Sequence, residues 1–282
     1  MEDGWGRARN RYRPVNPQSA GKVPPAQAFF DVSDLVGPAG RWLAVHLADT
    51  PVSPLHLTLA FTLAGLLAAF LFAIGQGLWL AALLLVLKSA LDAADGGLAR
   101  ARGRPSRVGR FLDSDCDFVV NVALYAGLAV GLVGRGGSPV YILLAFLALV
   151  SGMLQVSLYN HYYIAYRLAS GGDHTSQLSE VEPAGYAWDN SALLTPLFVA
   201  YSVIYGWQDA LVARLDQWAA PQQPVVRRGF MSAVGVLGLG TQMLLLAACA
   251  LLGHMQWALW ALVIGFNAYA ALLLYWRRRQ TR

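Results

Sequence analysis

The chain has 282 residues, of which 56% are hydrophobic and only 13% are charged. A soluble domain would carry roughly a quarter charged residues, so the composition excludes an ordinary soluble protein and predicts an integral membrane protein. The net charge of +5 is interpreted as attraction to anionic lipid headgroups and not as nucleic-acid binding.

The amino-terminal part precedes the first long apolar run and is rich in arginine, proline and glycine. We expect residues 1–26 to be a disordered basic tail. Residues 27–53 are predicted to hold an amphipathic interfacial helix over 27–49, bent near Gly37-Pro38, followed by a turn into the membrane.

The membrane domain is predicted to cover residues 54–276. A helix needs about 20 apolar residues to cross the hydrocarbon. The pattern therefore predicts an all-α fold with six transmembrane helices, at Leu57–Gly75, 77–100, Phe111–Val133, Pro139–Leu158, Met231–Leu252 and Trp257–Trp276.

The apolar run at 192–207 is short for a span and contains Pro196. We therefore expect residues 190–216 to form a surface or partly embedded helix, after a polar loop at 169–189. An odd number of spans would also place the basic carboxyl end outside.

Arginines are concentrated in the amino-terminal tail, in the 100–110 link and in the basic tail at 277–282. Short Lys/Arg-rich segments stay on the cytoplasmic side. The prediction is a plasma-membrane protein with both termini and the 100–110 link in the cytoplasm.

Four aspartates lie at the ends of two predicted spans. Asp92 and Asp95 are spaced i, i+3, and Asp113 and Asp117 are spaced i, i+4, so each pair shares one face of its helix. Antiparallel helices would bring all four carboxylates together, and like charges that close need divalent cations. The spacing predicts a metal site. Lys88, one turn before Asp92, could pair with these carboxylates or snorkel to the interface, and snorkelling is the favoured interpretation.

Arginines beside these carboxylates favour an anionic, diphosphate-bearing substrate. Gly96 and Gly109 leave room for a ligand near the backbone, and Ala99 keeps the same surface shallow. Asp117, farthest along the second helix, is the expected base for an acceptor hydroxyl.

The run Asp92-x2-Asp95-Gly96-x2-Ala99-Arg100-x8-Gly109-x3-Asp113-x3-Asp117 resembles the signature of the CDP-alcohol phosphotransferase family. The resemblance extends more weakly over about 31–276. It implies transfer of a phosphoalcohol from a CDP-activated substrate to an alcohol with release of CMP, in phospholipid biosynthesis. It also implies a homodimer and Mg²⁺ or Mn²⁺, with two ions expected.

By the same resemblance, the expected metal ligands are Asp92, Asp95, Asp113 and Asp117, with Asp117 also the general base. The expected CDP-binding residues are Gly96, Ala99, Arg100, Gly109 and, more weakly, Thr58. Two family features are absent: Leu55 stands where an asparagine is common, and Phe118 where an arginine is common.

The acceptor pocket is less defined. Its candidates are Asn160, His161, Arg167, Arg107 and Arg110. The competing interpretations are an aromatic belt for the tyrosines around Asn160 and a topology signal for the arginines of the link.

Several alternatives stay open. The acceptor is not identified, and the CDP group could be on the lipid, as in CDP-diacylglycerol, or on the headgroup. An intramembrane prenyltransferase would carry a second, distant aspartate-rich motif, and a cation transporter would carry carboxylates near the bilayer midplane. Gly127 and Gly131 have the i, i+4 spacing that lets helices approach closely.

Overall fold

The computed structural model describes residues 22–172, 175–178, 180, 185–222 and 225–280. This part of the chain folds as helices and connecting turns, which confirms the predicted all-α class. The α-helices are α1 (Gly37–Leu47), α2 (Pro54–Ile74), α3 (Leu78–Ala101), α4 (Arg107–Gly134), α5 (Val140–Ala169), α6 (Ser191–Ala219), α7 (Arg228–Val234), α8 (Leu239–Leu251), α9 (Met255–Trp260) and α10 (Asn267–Arg279).

Within the described ranges, four helical segments are long and apolar enough to cross a membrane. They are α2, α4, α5 and the rod Met255–Arg279, in which α9 and α10 are joined by a π-helical turn at Ala261–Phe266. The pair α7–α8, bent by 45°, makes a fifth candidate if it is counted as one span. The remaining predicted span, at 77–100, corresponds to α3, which carries Lys88, Asp92 and Asp95.

The amino-terminal helix is shorter than predicted. In place of helix, the residues before Gly37 form two 3₁₀ turns, at Pro25–Gln27 and at Val32–Asp34, and the Asp31 side chain caps the start of the second. Helix α1 begins at Gly37 because Pro38 lacks the N–H that a longer helix would need and is tolerated only in a first turn. A Cβ on Gly40 would lie 2.6 Å from the Ala93 Cβ, so α1 packs closely on α3.

Helices α2 and α4 pack through the two glycines singled out in the sequence. A Cβ on Gly127 would lie 2.3 Å from the Ala69 carbonyl oxygen, and one on Gly131 would lie 2.0 Å from that of Phe72. Real Cβ atoms cannot approach so closely, so these glycines let the two backbones touch. The two glycines therefore serve a contact between two helices of the same chain.

Helix α6 covers the predicted 190–216 segment and continues to Ala219, with Asn190 capping its start and Pro196 inside its first two turns. Leu194 and Tyr201 pack against Phe111 at the start of α4. This helix is not among the candidate spans of the described chain.

The predicted span at 231–252 is broken. Gly238 is extended between a 3₁₀ turn and α8, and a Cβ on Gly240 would lie 1.9 Å from the Ser33 carbonyl oxygen. The break therefore admits the amino-terminal segment between α7 and α8. At the other end, α10 runs into the predicted basic tail, and Arg277 is buried there.

Candidate active site

A cavity of about 950 Å³ lies between the end of α3 and the start of α4, the ends that were predicted to face the cytoplasm. Its wall includes all four predicted aspartates, together with residues of α2, α5, α6, α8 and the amino-terminal segment. The turn between α3 and α4 is short and both helices pack against α2, so the carboxylates of the two aspartate-bearing helix ends come together at the cavity.

Three of the four aspartates converge as the spacing predicts. One carboxylate oxygen from each of Asp92, Asp95 and Asp113 lies within 4.8 Å of the other two. Asp113 Oδ1 is buried and has no hydrogen-bond partner among the residues described. A cluster of oxygen ligands with an unmatched oxygen suits a hard divalent cation such as Mg²⁺ or Mn²⁺.

Lys88 pairs with two of the four aspartates, so the structure favours the pairing interpretation over the snorkelling that was preferred. Its side chain is only 1% exposed, its ammonium lies 2.8 Å from Asp92 Oδ2, and it pairs directly with Asp117. Lys88 Nζ also sits 4.8 Å from the centroid of the Phe61 ring. The polar cavity offers this ammonium nearer partners than the membrane interface does.

Asp117 lies next to the three converging carboxylates but outside their 4.8 Å group. Its Oδ1 accepts a short hydrogen bond from Lys88. Lys88 therefore bridges Asp92 on α3 and Asp117 on α4, and it fixes the orientation of the carboxylate predicted to act as the base.

Thr58 is placed behind the cluster. Its hydroxyl donates to Asp95 Oδ2 at 2.7 Å, and the Gly96 N–H donates to the other oxygen of Asp95. Both Thr58 and Asp95 are buried. Thr58 also lines the cavity, so its clearest contact is one that holds a predicted metal ligand in place.

The residues predicted to bind CDP line the cavity beside the aspartates: Gly96, Ala99, Arg100 and Gly109. A Cβ on Gly96 would lie 3.1 Å from an Arg100 guanidinium nitrogen, so glycine lets this side chain fold across the helix. At Gly109 a Cβ would make only an ordinary 3.4 Å contact with Ser106. Packing does not require glycine at 109. Room for a ligand is the remaining explanation for a glycine at this position.

The start of α4 is held by a loop residue that the sequence did not single out. Ser106 caps the helix, and its hydroxyl donates to Asp189 Oδ1 at 2.5 Å. Asp189 Oδ2 accepts from the Arg107 N–H at 3.0 Å. The segment before α6 thereby fixes the helix end that carries Gly109 and Asp113.

Two arginines of the link bind protein groups. Arg107 is buried, donates to the Thr175 carbonyl at 2.9 Å and pairs with Glu180. Arg110 lines the cavity, but its guanidinium lies 3.0 Å from Glu180 Oε1 and donates to Ser176 Oγ at 2.8 Å. Arg107 is outside the described cavity wall, so the structure gives it an anchoring contact with the loop after α5.

The three candidates on α5 all line the cavity. Asn160 is exposed. His161 Nε2 lies 3.4 Å from Asp216 Oδ2, so the imidazole faces α6. Arg167 is buried, with its guanidinium 5.7 Å from the centroid of the Tyr163 ring.

The amino-terminal strap, residues 22–36, closes one side of the cavity and was missed in the sequence. The Tyr159 hydroxyl donates to Asp31 Oδ2 at 2.6 Å, and the Tyr166 hydroxyl donates to the Gln27 carbonyl at 2.8 Å. Phe29 packs edge-on against Tyr163 and Tyr166. Burial raises the pKa of Asp31 although hydrogen bonds from Tyr159 and Ser33 oppose the rise. Three of the tyrosines interpreted as an aromatic belt, Tyr159, Tyr163 and Tyr166, therefore form the docking surface of the strap.

Known proteins resemble the part of the chain that builds this cavity. The sequence profile of the CDP-alcohol phosphatidyltransferase family matches residues 52–171. An archaetidylinositol phosphate synthase of Pyrococcus horikoshii is 40% identical over 85 residues, which are 30% of this chain and 45% of that protein.

Two bacterial relatives carry the name phosphatidylinositol phosphate synthase. The one from Cutibacterium acnes is 38% identical over 112 residues, covering 39% of this chain and 54% of that protein. The one from Streptomyces avermitilis is 35% identical over 113 residues, covering 39% and 46%. The chain thus spans about half the length of the curated relatives it matches.

Proposed function

Because residues 52–171 match the profile of the CDP-alcohol phosphatidyltransferase family, we propose that this chain transfers a phosphoalcohol group from a CDP-activated substrate to an alcohol, releasing CMP. The observation that carries the proposal is the convergence of Asp92, Asp95 and Asp113 within 4.8 Å, in a cavity that Arg100 also lines. The aspartates suit a divalent cation, and the arginine suits an anionic ligand such as a phosphate.

Asp92, Asp95 and Asp113 would hold the divalent ion, and Asp117 would contribute to a second one. When bound, Mg²⁺ or Mn²⁺ would neutralise the diphosphate oxygens and the charge that develops on the leaving phosphate. Thr58 supports this role by fixing Asp95 from behind the cluster.

The acceptor hydroxyl oxygen attacks the phosphorus atom next to the alcohol moiety of the donor. The new P–O bond forms as the bond to the cytidylyl phosphate breaks, CMP leaves, and the hydroxyl proton moves to Asp117. Lys88 orients that carboxylate through a direct hydrogen bond. A base must lie within hydrogen-bond reach of the proton that it takes, and fixing its rotamer maintains that reach.

The nucleotide side of the cavity would be formed by Gly96, Ala99 and Gly109, with Arg100 facing the diphosphate. Gly109 lines the cavity, and the nearest groups to a Cβ there would be those of Ser106 at an ordinary 3.4 Å, which supports this placement. Arginine suits the diphosphate because its planar guanidinium can donate two parallel hydrogen bonds to phosphate oxygens.

We propose that the donor is CDP-diacylglycerol and that the acceptor carries a phosphate, as in an inositol phosphate. The names of the relatives from Cutibacterium acnes and Streptomyces avermitilis support this acceptor class. Of the arginines on the cavity wall, Arg110 and Arg167 would supply its countercharge, while Arg100 faces the diphosphate of the donor.

The proposed topology has six spans, with α3 crossing because its charged side chains face the cavity and not the lipid. The arginine-rich 100–110 link and both termini would face the cytoplasm, at the plasma membrane. We propose a homodimer, in keeping with the family resemblance.

The test is CMP release by the purified chain from radiolabelled CDP-diacylglycerol, with inositol phosphate, glycerol phosphate and serine offered separately. We expect release only with a divalent metal and an alcohol acceptor. The control is Asp92→Asn/Asp95→Asn, which removes two ligands at nearly constant volume. Prenyl transfer or ion flux without CMP from any acceptor would reject the proposal in favour of a prenyltransferase or a transporter.

A further inference from the structure

The cavity does not end at the aspartates. It continues along one face of α4, where Asp113, Asp117, Asn121 and Tyr125 follow one another at i, i+4 spacing and all line the wall. On the opposite side this inner end is bounded by Gly152 of α5 and Gln242 of α8. We call this inner end the polar bay.

Two polar groups of the bay are unmatched. Tyr125 is only 3% exposed, and its hydroxyl has no hydrogen-bond partner within the described ranges. The same holds for the buried Oδ1 of Asn121. Leaving a buried polar group unmatched is unfavourable, and more so where hydrocarbon replaces water. A ligand that completes these hydrogen bonds would therefore be favoured.

The polar bay is bordered by a glycine and by a glutamine whose side-chain amide already donates hydrogen bonds. A Cβ on Gly152 would lie 3.3 Å from the Tyr125 hydroxyl and 2.9 Å from Gln242 Oε1, so glycine lets both polar groups approach the α5 backbone. Gln242 Nε2 already donates to the Gly152 carbonyl at 3.1 Å and to Gln155 Oε1 at 3.3 Å. Of the described residues of the bay beyond Asp117, the buried atoms without a partner are the Tyr125 hydroxyl oxygen and Asn121 Oδ1.

The chemistry of these groups selects the ligand. Asn121 Oδ1 needs a hydrogen-bond donor, whereas the Tyr125 hydroxyl both donates and accepts. Ester carbonyls of a lipid only accept and would leave Asn121 unmatched. Alcohol hydroxyls satisfy both groups.

We propose that the polar bay binds the uncharged hydroxyl groups of a polyol acceptor, with Tyr125 and Asn121 as specificity-determining residues. The inference rests on the proposed function and names the part of the acceptor that enters the bay. Asn121 lies one helical turn, about 5.4 Å along the axis, beyond Asp117. A polyol that reaches it presents a neighbouring hydroxyl to the proposed base.

The experiment compares the parent chain with Tyr125→Phe, which removes only the hydroxyl, and with Gly152→Ala, which narrows the bay. Tyr275→Phe, at an exposed position outside the cavity wall, is the matched control. Steady-state CMP release gives KM for the CDP-lipid and for two acceptors, inositol phosphate and glycerol phosphate.

Tyr125→Phe and Gly152→Ala should raise KM for inositol phosphate about five- to tenfold. KM for the CDP-lipid and all constants of Tyr275→Phe should stay within twofold. Glycerol phosphate, with fewer hydroxyls, should be used less well by the parent and be less affected by the substitutions.

An unchanged KM for both acceptors in Tyr125→Phe and Gly152→Ala would overturn the inference and leave the bay to water. A raised KM for the CDP-lipid alone would overturn it in favour of the lipid backbone. No CMP from the parent with any acceptor would instead remove the proposed function, and this inference with it.

Discussion

Replacing Lys88 with methionine should destabilise the metal-free protein strongly. Lys88 Nζ lies 2.8 Å from Asp92 Oδ2, which corresponds to an attraction of about 6 kcal/mol at an effective dielectric constant near 20. Asp117 provides a second pair. Desolvation opposes both attractions, and breaking a buried pair by removing one partner costs about 3–5 kcal/mol. For a chain of this size that loss corresponds to a fall of roughly 10 °C in melting temperature.

The assay is the apparent melting temperature of the detergent-solubilised protein, followed by tryptophan fluorescence in EDTA and again with excess Mg²⁺. The shift should be smaller with Mg²⁺, because bound cations neutralise the same carboxylates. Arg214→Met, which removes an exposed cation, should change the melting temperature by about 1 °C or less.

The double variant Lys88→Met/Asp117→Asn separates the pair from the packing of the side chain. It should recover part of the lost stability, because it removes a buried carboxylate left without its partner. If Lys88→Met and the parent have the same melting temperature in EDTA, the two ion pairs contribute no net stability and the reasoning fails.

Three further changes test other contacts of the site. Asp117→Asn should reduce CMP release at least 100-fold while nucleotide binding, measured by equilibrium dialysis of CDP, changes little; full activity would remove Asp117 from the role of base. Thr58→Val, which deletes the hydrogen bond to Asp95, should weaken the apparent Mg²⁺ affinity about tenfold in a metal titration of CMP release, and an unchanged titration would contradict that supporting role. Arg107→Met breaks a buried pair with Glu180 and should lower the melting temperature by several degrees; a rise in acceptor KM without such a loss would instead place Arg107 in the acceptor pocket.

The sequence predicted those parts of the site that depend on local spacing. Helical periodicity places Asp92 beside Asp95, and the short link brings Asp113 to both. The convergence of these three carboxylates therefore follows from positions within one stretch of chain. The helical segments around them follow for the same reason, since runs of apolar residues are read locally.

Contacts between distant segments were not predictable in this way. The pairing of Lys88 with Asp117 joins positions 29 residues apart, and that of Arg107 with Glu180 joins positions 73 apart. A lysine near the end of an apolar run usually reaches for the interface. Only the three-dimensional structure shows that the Asp117 carboxylate of α4 lies within reach of Lys88.

The amino-terminal strap shows the same limit. Residues 27–36 have the amphipathic pattern of an interfacial helix, but Asp31 is used to cap a 3₁₀ turn and to accept from Tyr159. Neither partner is visible as a pattern, because the docking surface on α5 also looks like an ordinary aromatic belt.

The contact of Gly127 and Gly131 with the α2 carbonyls limits how this protein can vary. In a saturation scan of α4, those two positions should reject every larger residue, since even a methyl group has no room there. The outward-facing valines at 119 and 130 should accept most apolar residues. The two intolerant positions, one helical turn apart, would mark the line along which the backbones of α2 and α4 are in contact.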